Sequence, residues 1–145
     1  LDQALRALSA DLGDPHPADI TLLEQAGFGP TPAFYALIAE NGEAGLCGAA
    51  MYSPVMSTTL AAPGVFVSDL WVEKSARGTG LGTRMLHTCM QFARDAGYRG
   101  MRLWTHESHK AAGALYRRNG WTLDSSTPVH SFGRDNIEQN WSIRF

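Results

Sequence analysis

Three glycines at alternate positions, Gly78, Gly80 and Gly82, follow Arg77 in the string ARGTGLGT at residues 76–83. An apolar strand pattern precedes them, and an amphipathic helical pattern begins among them. Glycine opens a helix poorly unless something must come close to the backbone. The first N–H groups of a helix have no intrahelical partner, and the helix dipole adds partial positive charge at that end. Such a loop suits an anion, most simply a phosphate, and Arg77 adds a full positive charge. Two phosphate-binding strings are excluded. G-x-x-x-x-G-K-[ST] does not occur, and G-x-G-x-x-G fails because Thr83 stands at its sixth position.

The elements that must hold this loop follow from periodicity. Leu1, Leu5, Leu8 and Leu12 recur at helical spacing, and Gly13 with Pro15 ends the helix. Asp19 or Thr21 caps a second short helix carrying Leu22, Leu23 and Ala26 and stopped at Gly27. FYALIAE, 34–40, predicts a strand, NGEAG a hairpin turn and LCGAAMYSP the return strand. A polar connection punctuated by proline and glycine is expected over 53–64, then a strand over 65–72 (VFVSDLWV). The helix over 80–96 should bury Leu81, Met85, Leu86, Cys89, Phe92, Ala93 and Ala96 and close at Gly97. A strand at 101–105 and a helix over 109–119, with Ala112, Leu115 and Tyr116 on one side and Gly120 as its cap, come next. WTL opens another strand, SSTPVHSFGRDN is expected to be loop around at most one strand, and Trp141, Ile143 and Phe145 alternate in a final one. The order α-α-β-β-β-α-β-α-β-β is that of a mixed α/β fold in a single domain, residues 1–145.

At 145 residues the chain is the size of one domain with one core. A hydrophobic share of 44% and a charged share of 18% place it among ordinary globular proteins. A net charge of −2 without a basic run argues against nucleic acid as a partner. No apolar run approaches the roughly 20 residues that span a bilayer, and no signal-peptide pattern is visible. Cys47 and Cys89 lack metal-ligand spacing, so they are expected to be buried free thiols in a reducing cytoplasm, with no metal site. The sequence opens at Leu1 already inside a helical pattern, and further residues are expected ahead of it.

R-G-x-G-x-G resembles the [QR]-x-x-G-x-[GA] signature of the GNAT acetyltransferase superfamily through Arg77, Gly80 and Gly82. ALYRRNGW, 114–121, resembles that family's second mark, a helix end with tyrosine followed by glycine and an aromatic. LLEQAGFGPTPAFYALIAE and CGAAMYSPVMSTTLAAPGVFVSDLWV are similar to the diamine/polyamine N-acetyltransferase branch, and the likeness covers most of the chain from about residue 5. The resemblance implies one GNAT domain, lacking a short N-terminal strand, with two central strands of a mixed sheet splayed apart. Acetyl-CoA would lie in the splay as co-substrate. Its pantetheine would bond the strand backbone at Leu70, Trp71 and Val72, and its pyrophosphate the amides of Gly78, Thr79, Gly80, Leu81, Gly82 and Thr83. His109 stands where the family often has an asparagine that bonds the pantetheine. Ser68 stands where the branch has a glutamate taken as a candidate base.

Acetyl transfer to an amine requires a deprotonated nitrogen, a stabilised thioester oxygen and a protonated leaving thiolate. The resemblance assigns the last task to Tyr116, as general acid, and a backbone N–H near Leu70 or Trp71 is the natural oxyanion donor. The base stays open between Asp69, a water held by Ser68, Glu107, His106, His109 and a water chain alone. Glu24, Asp69 and Glu107 are the acidic residues expected to receive a cationic amine. Trp71, Trp104 and Tyr35 either wall its pocket or belong to the core. Arg84, Arg117 and Arg118 are expected on a solvated face, one of them a candidate for the ribose 3′-phosphate. The implied activity is transfer of an acetyl group to a primary amine of a small polyamine-like or basic molecule. A non-catalytic acyl-CoA-binding module and a transferase acting on a protein or peptide amine are the alternatives. Homodimers are common in the branch, and the C-terminal strand with the 53–64 segment is the interface expected here.

Overall fold

A computed structural model describes residues 1–42, 45–58 and 61–145. Helices α1 (Asp2–Leu12) and α2 (Ile20–Phe28) lead into strands β1 (Tyr35–Asn41), β2 (Gly45–Ser57) and β3 (Ala62–Val72). A short 3-10 turn (Lys74–Ala76) precedes α3 (Leu81–Asp95), β4 (Gly100–His106), α4 (Lys110–Arg118), β5 (Thr122–Ser131) and β6 (Arg134–Arg144). The strands form one mixed sheet in the order β1-β2-β3-β4-β6-β5. No helix among the described residues is long and apolar enough to cross a membrane.

The element order is the expected one, and three boundaries differ. β2 runs on to Ser57 and β3 starts at Ala62, so most of the expected polar connection over 53–64 is strand. Residues 122–144 form a long hairpin, β5 with β6, where mostly loop was expected. Helix α2 continues past Gly27 and is capped at Gly29, whose N–H bonds the Gln25 carbonyl. Asp19 caps its start as expected, its side chain accepting from Leu22 N–H at 2.8 Å. The turn expected at NGEAG includes residues 43–44, outside the described residues.

Contacts divide the chain into two compact units, Leu1–Ser53 with Ser68–Leu86, and Pro54–Val67 with His87–Phe145. In the first, β1 lies antiparallel to β2 from Tyr35↔Tyr52 to Asn41↔Gly45. Helix α1 buries Ala4 against Ala49 and Trp71, with Leu1, Ala7, Leu8 and Leu46 packed around them. Small residues allow this close approach: a Cβ on Gly48 would stand 2.9 Å from Met85 Sδ and 3.0 Å from the Trp71 carbonyl oxygen. In the second unit, the start of β3 pairs in parallel with β4 at Val65↔Met101 and Phe66↔Arg102. β4 then pairs with β6 along its length, from Gly100↔Arg144 to His106↔Glu138. Trp141, Met101, Leu103 and Val65 fill the core. Gly113 of α4 sits over Trp141, and Tyr116 packs between the rings of Trp121 and Trp141, each 5.8 Å away. Of the stripe expected on α3, Met85, Leu86, Cys89 and Ala93 are buried with Met90, while Ala96 lies beyond the helix and is exposed.

Gly100 begins β4 pressed against β6. A Cβ there would overlap the Ile143 carbonyl oxygen and stand 3.3 Å from Arg144 Cα, both rigid backbone. Gly100→Ala is expected to cost ~1–3 kcal/mol, the usual range for overpacking. Urea unfolding of the two proteins measures it, and an unchanged midpoint would contradict the β4–β6 register.

Candidate active site

The glycine string divides into two kinds of position. Gly78 and Gly80 have φ of 78° and 86°, a left-handed backbone that other residues adopt only with strain, and open space lies where their side chains would project. Gly82 is instead the second residue of α3 and is not among the positive-φ positions. The first intrahelical bond runs from Arg84 N–H to the Gly80 carbonyl at 3.0 Å. The amides of Leu81, Gly82 and Thr83 therefore precede the helix's own bonding and are its natural anion donors. Thr79, itself exposed, donates from Oγ1 to the Ala76 carbonyl at 2.7 Å.

Arg77 has partners within the protein: one terminal nitrogen lies 2.5 Å from Asp11 Oδ2, and Nε donates to the Val72 carbonyl at 2.9 Å, while the side chain stays half exposed. Asp11 also takes Lys74 Nζ at 3.1 Å and Trp71 Nε1 at 3.3 Å. Trp71 is accordingly a core residue, 7% exposed, and any contact it makes with a ligand must come through its backbone. Asp11 escaped the sequence reading because an acidic residue near the end of an amphipathic helix looks like ordinary solvated charge.

On β3, Ser68 is exposed and donates from Oγ to the Met51 carbonyl at 3.1 Å. Its neighbour Asp69 is half-buried. Burial raises the Asp69 carboxyl above the ordinary aspartate value, against a hydrogen bond from Ser68 and the charge of His16. A carboxylate made more basic by desolvation is better suited to take a proton near neutrality than a solvated one. Leu70 and Val72 complete this strand end, both half-buried.

In the second unit Tyr116 is 6% exposed, and burial pushes its phenol up to about 12. The phenol therefore stays protonated through the neutral range. His109 is the N-cap position of α4, with Nδ1 3.0 Å from Thr105 Oγ1. His106, 2% exposed, meets the rings of Trp104, His109 and Phe132. Its Nε2 lies 3.4 Å from Ser131 Oγ, and its buried Nδ1 is unpartnered. Glu107 is tied loosely to Lys110 at 3.7 Å. Glu24 is an exposed residue of α2, Trp104 and Tyr35 are surface aromatics, and Arg117 lies over the Trp141 ring at 5.2 Å. Cys89 is buried, its thiol raised to about 12, whereas Cys47 is only half-buried; both are free. Among the described residues, no group of three or more His, Cys, Asp or Glu is placed to hold a metal ion.

The raised Asp69 carboxyl carries a stability consequence. The ionised form is disfavoured in the folded state, so the penalty is full above its folded pKa and absent below the ordinary value of 3.8, where both states are protonated. Asp69→Asn should raise the thermal midpoint at pH 7, with the gain shrinking as the pH falls through the folded pKa. A gain independent of pH, or a loss at pH 7, would contradict this environment.

The profile of the Acetyltransferase (GNAT) family matches residues 2–121. Thialysine N-epsilon-acetyltransferase of Sus scrofa is 31% identical over 118 residues, covering 76% of this chain and 69% of that protein. Among solved structures, the NatC complex bound to Gag peptide and CoA is similar with a TM-score of 0.77 at 14% identity, over 97% of this chain and 87% of that one. Nourseothricin acetyltransferase gives 0.64 at 24% identity, over 79% and 68%. At these identities the solved structures speak to the fold, a mixed sheet with four helices shared with GNAT acetyltransferases. The family profile, the curated relative and the loop geometry agree: this chain belongs to the GNAT family of N-acetyltransferases.

Proposed function

We propose that this chain transfers the acetyl group of acetyl-CoA directly to a primary amine of a small basic molecule, within a ternary complex and as one N-acetyltransferase domain. The observation that carries the reading is the pair of left-handed glycines, Gly78 and Gly80, that bare the first-turn amides of α3. A diphosphate suits those donors, and the NatC structure similar to this chain contains CoA. The small-amine acceptor is supported by the relative named for acetylating thialysine. The bound co-substrate supplies an acetyl thioester, an electrophile that an unprotonated amine attacks.

The chain's residues do the rest. The amides from Gly78 to Thr83 hold the diphosphate, the backbone of Leu70 and Val72 bonds the pantetheine, and His109 is a further pantetheine contact. A backbone N–H at Leu70 or Trp71 receives the charge that develops on the thioester oxygen. The acceptor's ammonium gives its first proton to Asp69, directly or through a water on Ser68; solvent takes that proton and the second one, which nitrogen sheds after bonding the acetyl carbon. Tyr116 hands its phenolic proton to the departing sulfur as the carbon–sulfur bond breaks, and is reprotonated from solvent. Glu24 and Glu107 contribute negative charge for a basic acceptor. Cytoplasmic, homodimeric operation is the proposed setting; the free Cys47 and Cys89 suit a reducing compartment.

An amine panel offered with acetyl-CoA tests this, with CoA thiol release as the readout and Tyr116→Phe run beside the parent. Turnover is expected on small primary amines, reduced about 100-fold or more in the variant with acetyl-CoA affinity unchanged. Binding of acetyl-CoA without turnover on any amine would identify a binding module. Turnover confined to peptides would move the acceptor to a protein amine, and full activity of Tyr116→Phe would remove Tyr116 from the mechanism.

A further inference from the structure

We propose that Asp11, on α1, is a positioning residue of the donor loop: it clamps the Arg77 guanidinium against the Val72 carbonyl and makes that arginine a strut of the loop. The inference rests on the reading of the loop as the diphosphate site of acetyl-CoA. Three side chains, Trp71 near the end of β3 and Lys74 and Arg77 in the connection to α3, converge on this one carboxylate. Arg77 is 2.5 Å from Oδ2, Trp71 Nε1 3.3 Å from the same oxygen, and Lys74 Nζ 3.1 Å from Oδ1. Arg77 Nε simultaneously donates to the Val72 carbonyl at 2.9 Å, and its backbone N–H bonds the Lys74 carbonyl at 3.3 Å. The guanidinium thus spans the end of β3 and the anchor on α1 in one rigid plane. Only arginine has the planar fork to bond a carbonyl and a carboxylate from two edges at once; a lysine ammonium has the charge without the geometry.

Charge alone argues against placing a carboxylate here. Asp11 adds negative charge beside a loop suited to an anion and takes up two of its cations, which by itself would weaken diphosphate binding. A compensating role in geometry resolves this. The loop must leave β3 at Val72 and reach its left-handed turns at Gly78 and Gly80 in a fixed register, and the Asp11–Arg77–Val72 chain holds that exit. With the Glu73 carboxylate on the same turn, Lys74 and Arg77 are balanced by two carboxylates, so what the loop offers an anion is its backbone amides.

The two accounts predict opposite signs. Steady-state kinetics and calorimetric titration with acetyl-CoA on the full chain, for the parent, Asp11→Asn, Arg77→Lys and the double variant, separate them. The positioning account expects either single change to raise the KM and Kd for acetyl-CoA about tenfold, the scale of one lost charge-assisted bond. At saturating acetyl-CoA, kcat and the KM for the amine should be retained, and the double variant should be no weaker than the worse single one. Tighter or unchanged acetyl-CoA binding in Asp11→Asn, or parent-like binding in Arg77→Lys, would overturn the proposal and return Arg77 to direct phosphate contact. Should Asp11→Asn fail to fold, Arg77→Lys alone decides, because it keeps the charge. Failure of the parent itself to bind acetyl-CoA would instead refute the donor-site reading.

Discussion

An α-helix cannot bond its own first amide groups, and the proposed donor site of this chain turns on that fact. The loop reaches α3 through left-handed backbone at Gly78 and Gly80, so Leu81, Gly82 and Thr83 present N–H groups with no partner in the helix. Side chains at the two left-handed positions would strain the turn and cover it. Everything upstream serves to deliver the backbone to this point. β3 ends at Val72, Glu73 caps the short turn at Lys74–Ala76 with its carboxylate on Ser75 N–H, and Thr79 ties back to the Ala76 carbonyl. Held this way, the loop needs little of its own side-chain chemistry to receive an anion.

Desolvation gives the two proposed proton-handling groups opposite uses. Tyr116, enclosed by Trp121 and Trp141, is pushed up to about 12 and stays a donor throughout the physiological range. Asp69 is raised by the same burial, toward the range in which a carboxylate accepts a proton readily and gives it up again. Ser68 presents a hydroxyl that donates to the Met51 carbonyl. In the proposed mechanism the serine orients a water, and the carboxylate beside it is the base.

Much of this was legible in the sequence. Helices α1 and α3 announce themselves because each buries one periodic face, Ala4 and Leu5 on α1 and Met85, Leu86 and Cys89 on α3, whereas α2 buries no residue and is legible through its Asp19 cap. The hairpin of β5 and β6 did not announce itself, because β5 is an edge strand. Its residues Thr122 to Pro128 are all exposed, so no alternation marks them, and Pro128 is tolerated where an inner strand would exclude it. Its turn at Phe132 and Gly133, both with positive φ, places a phenylalanine where asparagine or glycine is usual, which hid the hairpin signal. The glycine turn is legible in its spacing, whereas the ion pair of Arg77 is not. Its partner Asp11 lies far away in sequence, and only the packing of α1 brings the two charges together.

The central claim is that backbone amides at the start of α3 receive the diphosphate of acetyl-CoA. Titrating CoA into the isotopically labelled chain and following amide resonances tests it residue by residue. The account predicts that the largest shifts fall on Gly78, Gly80, Leu81, Gly82 and Thr83. Saturable binding that leaves those five amides unmoved while shifting others would contradict it.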